Sequence, residues 1–208
     1  MFDALRRSAR PLAVIAALAL ATPLTGCGVN NIPTYEQSAK AAWAEVLNQY
    51  KRRADLVDNL VNTVKGFAEQ EKSVLEGVVK ARAEATKAQI NIPADVLTNP
   101  EAMKNFQAVQ NSLGGALRQL LAVTENYPDI KSGENFRKLQ DELAGTENRI
   151  ALARRGYIEQ VRVYNTEITT LPGSLWKRFV YPNAKELSQF DIPAEETKAP
   201  KVDFGTKK

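Results

Sequence analysis

Residues 134–171, ENFRKLQDELAGTENRIALARRGYIEQVRVYNTEITTL, hold the pattern that decides the fold. Phe136, Leu143, Ile150, Tyr157, Tyr164 and Leu171 recur in this stretch at a strict interval of seven residues. Seven residues make two turns of an α-helix, so these side chains form one apolar seam down a single face. The companion column of the seam is Gln140, Glu147, Arg154, Val161 and Ile168, polar in its first half and apolar after it. Pro172-Gly173 stops the pattern. The expected helix covers Glu134–Leu171.

Working outward, the same periodicity recurs upstream. Ala39, Trp43, Val46, Tyr50, Val57, Leu60, Val64 and Phe67 lie at helical spacings and predict a helix over Thr34–Phe67, ~45–50 Å long at 1.5 Å per residue. Thr34 with Gln37 forms a candidate capping box, with Pro33 just outside, and Gly66 marks a point where the chain can turn. A second helix is expected over Glu69–Gln89, with Val74, Leu75, Val78, Val79, Ala81 and Ala85 inward. Asn91-Ile92-Pro93 and Asn99-Pro100 bracket a loop, and Asn99 caps a third helix that has proline at its first position. Its expected buried face is Ala102, Phe106, Val109, Leu113, Leu117, Leu120 and Thr124. Gly114-Gly115 lies inside it, which points to close packing against a neighbouring helix. Tyr127-Pro128-Asp129 and Lys131-Ser132-Gly133 turn the chain into the fourth helix.

Four helices with short connections and no alternating strand pattern predict an all-α, antiparallel up-down-up-down four-helix bundle over residues 34–181. In that arrangement Thr34 faces Leu171 and Arg53 faces the region of residue 152. Residues 182–208 hold Pro193 and Pro200 and read as an extended tail. Phe190, Val202 and Phe204 are its candidates for docking back.

The N-terminus supplies an address. Arg6, Arg7 and Arg10 precede an apolar run from Leu12 to Leu20, and Leu24-Thr25-Gly26-Cys27 follows. Positive, apolar, then small residues is the order of a secretory signal peptide, here residues 1–26. The run falls short of the ~20 apolar residues that a membrane span needs. Leu-Thr-Gly-Cys is similar to a bacterial lipobox, which implies acylation of Cys27 and a short tether over residues 27–33. Gly28 after the cysteine, where aspartate would favour inner-membrane retention, implies an outer-membrane anchor facing the periplasm.

The chain has 208 residues, one cysteine and no histidine. A single cysteine excludes an intramolecular disulfide. The absence of histidine excludes histidine-dependent nucleophile systems and the Glu-x-x-His ligand pairs of di-iron bundles. No metal site or cofactor is expected, and no phosphate-cradling glycine loop occurs. Loss of residues 1–26 removes Arg6, Arg7, Arg10 and Asp3, taking the formal charge from +4 to +2. Acids and bases are interspersed, so no basic stripe for nucleic acid remains.

The candidate site is a polar layer of Arg53, Asp55, Asn59, Glu147, Asn148 and Arg154. Arg53 occupies a seam position, and a pairing with Glu147, joined by Asn59 or Asn148, would fix helix register as polar seam residues do. The alternative is an anion-binding site between Arg53, Arg154 and Arg155. Leu171 to Pro182 mixes aromatics with Lys177 and Arg178. It reads either as a cap over the bundle end or as an interfacial, membrane-touching segment.

Taken together, the motifs are similar to those of the LemA family. Lys51-Arg52-Arg53-Ala54-Asp55-Leu56-Val57-Asp58-Asn59-Leu60-Val61 resembles the family's first-helix motif. Leu120-Leu121-Ala122-Val123, Tyr127-Pro128-Asp129 and Glu134-Asn135-Phe136 resemble its middle blocks. Glu142-Leu143, residues 145–151 (GTENRIA) and Ala153-Arg154-Arg155 resemble its fourth-helix signature. Tyr164-Asn165, Pro172-Gly173 and residues 199–204 (APKVDF) resemble its C-terminal part. The resemblance implies an antiparallel four-helix bundle on the bacterial envelope, with no established enzymatic activity. Members commonly carry a longer N-terminal helix, and the lipobox here replaces it. The expected function is a non-enzymatic envelope lipoprotein, a scaffold or interaction module with an unidentified protein partner. The alternative is a small-ligand or lipid carrier that uses the polar layer.

Overall fold

The computed structural model describes residues 28–65 and 71–190. Residues 1–27, 66–70 and 191–208 lie outside that description, and with them the signal peptide, Cys27, the Gly66 turn, Phe67, Val202 and Phe204. Six helices occur among the described residues: α1 (Asn31–Val64), α2 (Lys72–Ile90), α3 (Pro100–Thr124), α4 (Pro128–Ser132), α5 (Glu134–Thr169) and α6 (Gly173–Phe179). The described residues contain no strand. The fold class is all-α.

Helix α1 starts three residues earlier than the capping-box reading placed it. The Thr34 amide donates to the Asn30 carbonyl at 3.1 Å, and its hydroxyl donates to the same oxygen at 2.7 Å. Thr34 is therefore inside the helix and not its cap. Pro33 falls in the first turn, where a missing N–H leaves no bond unmade. Asn31–Pro33, expected as tether, are helical, and Ile32 among them is buried.

Helix α3 begins as its sequence dictates. The Asn99 Oδ1 accepts from the amides of Glu101 at 3.1 Å and Ala102 at 3.2 Å, with Pro100 at the first position. Tyr127–Ser132, expected as plain turn, holds the one-turn helix α4, which buries Ile130. Helix α5 ends at Thr169, so Leu171 leaves the heptad seam and is exposed, whereas Phe136, Leu143, Ile150, Tyr157 and Tyr164 are buried. Val79, expected inward on α2, is half exposed.

The chain divides into two units, to each of which α1 and α5 contribute. The described part of the first comprises residues 28–40 and 160–186. Ile32, Ala39, Val161, Tyr164 and Ile168 are its buried apolar side chains. The Asn31 Nδ2 donates to the Glu167 Oε1 at 3.2 Å. Gly28 has a φ of 92°, a left-handed conformation that favours glycine. Gly173 is buried, and a Cβ there would collide with the Glu167 carbonyl oxygen. Only glycine lets α6 start so close to α5.

The second unit holds residues 41–159 together with the described tail residues 187–190. One apolar cluster joins its helices: Leu56, Val57, Leu60 and Val64 of α1, Leu75, Val78, Ala81 and Ala85 of α2, and Leu113, Leu117 and Leu120 of α3. Ile130, Phe136 and Leu143 complete it. The alanines on α2 permit the close packing of α2 on α3. Residues 182–190 are non-helical. Leu187 and Phe190 are buried, and the Ser188 amide donates to the Leu97 carbonyl at 2.7 Å.

Candidate functional site

Arg53 lies on the inward stripe of α1 with only 3 % of its surface exposed. A guanidinium so buried requires acceptors, because stripping a charge of water without replacing its hydrogen bonds is prohibitive. Gln110 of α3 supplies two: the Arg53 Nη2 donates to its side-chain Oε1 at 2.8 Å and to its backbone carbonyl at 2.9 Å. The Arg53 Nη1 faces the Glu147 Oε1 at 3.3 Å, and that carboxylate side chain is 48 % exposed. The guanidinium carbon lies 5.0 Å from the centroid of the Tyr50 ring. The amide nitrogen of Gln110 in turn donates to the Ala85 carbonyl on α2 at 3.3 Å. Side chains and backbone of α1, α2, α3 and α5 thus meet through one arginine and one glutamine.

Gly114 is open beside this layer: a Cβ there would stand 3.7 Å from the Arg53 Nη1. The glycine pair was expected to mark close helix packing, yet a Cβ at Gly115 would meet nothing within 4 Å. Burial raises the Tyr50 phenol above its ordinary value. Arg154 and Arg53 pull it back, and Glu147 adds to the rise.

Of the residues expected in the layer, Arg53 and Glu147 are brought together. Arg53 reaches Glu147, about a turn from the residue 152 region that the expected register gave it. Asp55, Asn59 and Asn148 are exposed on their helices and do not join Arg53. Arg154 stacks its guanidinium over the Phe190 ring, 4.7 Å from the centroid. Arg155 is exposed, with its Nε directed to the Ala151 carbonyl at 3.4 Å. Each arginine of the candidate anion site therefore has its own protein partner.

Gln110 is the member that the sequence reading missed. It follows Phe106 by four positions and precedes Leu113 by three, so a polar residue at core spacing was its signal.

An aromatic cluster adjoins the layer. Trp43 packs against Phe106, Tyr157 and Phe190 with centroids 5.3, 5.4 and 5.8 Å apart. Tyr50 meets Phe106 at 5.8 Å. The Tyr157 hydroxyl donates to the Ser188 carbonyl at 2.8 Å, and burial raises its phenol pKa well above the ordinary value. Of the tail residues expected to dock, Phe190 does so here.

Among the described residues, no group of three or more histidine, cysteine, aspartate or glutamate side chains converges as a metal site. No described helix is long and apolar enough to cross a membrane. What the layer does chemically is fix neighbouring helices to one another through a charge-assisted network.

A profile of the LemA family matches residues 42–204, and the chain belongs to that family. It is similar to magnetosome proteins MamQ 1 and MamQ 2 of Paramagnetospirillum magneticum (strain ATCC 700264 / AMB-1). Each is 27 % identical over 157 residues, covering 69 % of this chain and 58 % of the relative. MamQ of Magnetospirillum gryphiswaldense (strain DSM 6361 / JCM 21280 / NBRC 15271 / MSR-1) is 28 % identical over 156 residues, covering 68 % of this chain and 57 % of the relative. The chain thus spans less than two thirds of the length of these relatives.

Proposed function

We propose that this chain is a non-enzymatic envelope lipoprotein. In this reading its helices form an antiparallel up-down-up-down bundle, held at a membrane surface by acyl chains on Cys27, and act as a scaffold or interaction module. Pairings within the second unit support the helix directions. Trp43 meets Tyr157 and Arg53 meets Glu147, so numbers rise along α1 as they fall along α5. Trp43 meets Phe106 and Arg53 meets Gln110, so α1 and α3 rise together.

The observation that carries the scaffold reading is the engagement of Arg53. Both of its Nη atoms are directed at protein acceptors on other helices, which suits a register pin better than a ligand hook. The lipobox-like Leu24-Thr25-Gly26-Cys27 supports the anchor, and two acyl chains suffice for stable membrane attachment. In a source that has an outer membrane, Gly28 after that cysteine supports an anchor there, facing the periplasm.

Crosslinking in intact cells, comparing wild type with Cys27→Ala, tests this function. Discrete protein crosslinks that vanish in the variant are expected. No partner, together with a small molecule retained in native mass spectrometry, would replace the scaffold with a carrier.

A further inference from the structure

Helix α6 and its flanks leave apolar surface uncovered. Leu171 is 74 % exposed, Phe179 72 %, Leu175 48 % and Val180 47 %. Four of the seven exposed large apolar side chains among the described residues fall in these ten positions, which makes a patch and not scatter. Leu175 and Phe179 are one helical turn apart and share a face.

The charge within the segment is basic, while the Glu167 carboxylate stands beside its start and accepts from Asn31. From Ile168 to Lys185 the sequence holds Lys177, Arg178 and Lys185 and no carboxylate. The Arg178 guanidinium lies over the Phe179 ring, 5.7 Å from its centroid. The contact sets a cation against the exposed aromatic ring.

The position of the segment supplies the third observation. Gly173, the first residue of α6, packs on the backbone of Glu167. The Glu167 carboxylate accepts from Asn31 and stands 3.9 Å from where a Gly28 Cβ would be. Glu167 therefore meets the start of α6 and bonds Asn31 three residues after Gly28, so the start of α1 and the patch belong to the same end of this unit.

We infer that the Leu171–Val180 segment lies against an anionic phospholipid surface, its apolar side chains among the acyl chains and its cations at the phosphates. The inference rests on the lipid-anchored reading for its choice of bilayer. It adds a second attachment, which sets the orientation of this unit at the membrane, as a single flexible anchor does not.

The test uses the full-length chain with its native processing, reconstituted in phosphatidylethanolamine–phosphatidylglycerol vesicles with plain or brominated acyl chains. Trp43 and Trp176 are the two tryptophans, and a Trp176→Phe variant gives the Trp43 background. Bromolipid is expected to remove part of the Trp176 emission, the indole lying next to the exposed Leu175 with its Nε1 turned into the protein. Leu175→Glu with Phe179→Glu should abolish that quenching while the chain still floats with the vesicles, and exchange of phosphatidylglycerol for phosphatidylcholine should weaken it. Unchanged Trp176 emission in a floating chain overturns the inference. So does self-association that the double variant abolishes without any quenching, which would make the patch a face between copies. Failure of the anchor looks different: the chain does not float and intact mass shows a bare Cys27. In that event, quenching by added vesicles still supports the patch, and its absence overturns it.

Discussion

The guanidinium of Arg53 has one partner deep in the protein and one at its edge, and the two should respond unequally to mutation. Arg53→Met strands the Gln110 side-chain oxygen in the interior and is expected to cost ~3 kcal/mol, read as a lowered denaturation midpoint. Glu147→Gln removes a half-exposed charge and is expected to cost at most ~1 kcal/mol. A double-mutant cycle should then give a larger coupling for Arg53 with Gln110 than for Arg53 with Glu147. Tyr164 offers a pH test. Its phenol is pushed up to about 12, first by burial and then by Glu36. The unfolded chain therefore loses this proton near the ordinary phenol value of 10 while the folded chain still holds it. Stability is full below pH 10 and falls as pH rises towards 12, and Tyr164→Phe should make that fall shallower in alkaline melting curves. At this scale the sequence showed Arg53 and Glu147 through their seam positions. It hid Gln110, because a glutamine on a helix reads as solvated until a neighbour's charge gives it a reason to be inside.

At the scale of elements, caps and glycines set the outcome. Asn99→Ala should cost ~1 kcal/mol by freeing the amides of Glu101 and Ala102, seen as a lower melting temperature. Gly115→Ala, in a helix interior with open space at the new methyl, should stabilise by up to ~1 kcal/mol. The starts of α3 and α5 were legible because Asn99-Pro100 and the turn at Gly133 are local signals. The start of α1 was not, since Thr34 resembled a cap and it takes the bond from its amide to the Asn30 carbonyl to show that the helix begins earlier. Helix α4 was missed because Pro128 reads as a turn, and the burial of Ile130 that holds this single helical turn is a tertiary effect.

Across the whole molecule, periodicity gave the all-helical class directly, because stripes at helical spacing recur from Ala39 to Tyr164. The proposed attachment to a membrane rests on the leader-like residues 1–26 and the single cysteine. The basic, apolar face of α6 needed the structure to show that it is uncovered. The measurement that bears most directly on the account is metabolic labelling with palmitate in a bacterial host, followed by intact mass and membrane flotation of wild type and Cys27→Ala. Label on the wild-type chain, lost in the variant together with flotation, is the predicted result. An unmodified Cys27 on a chain that stays in the unbound fraction would contradict it.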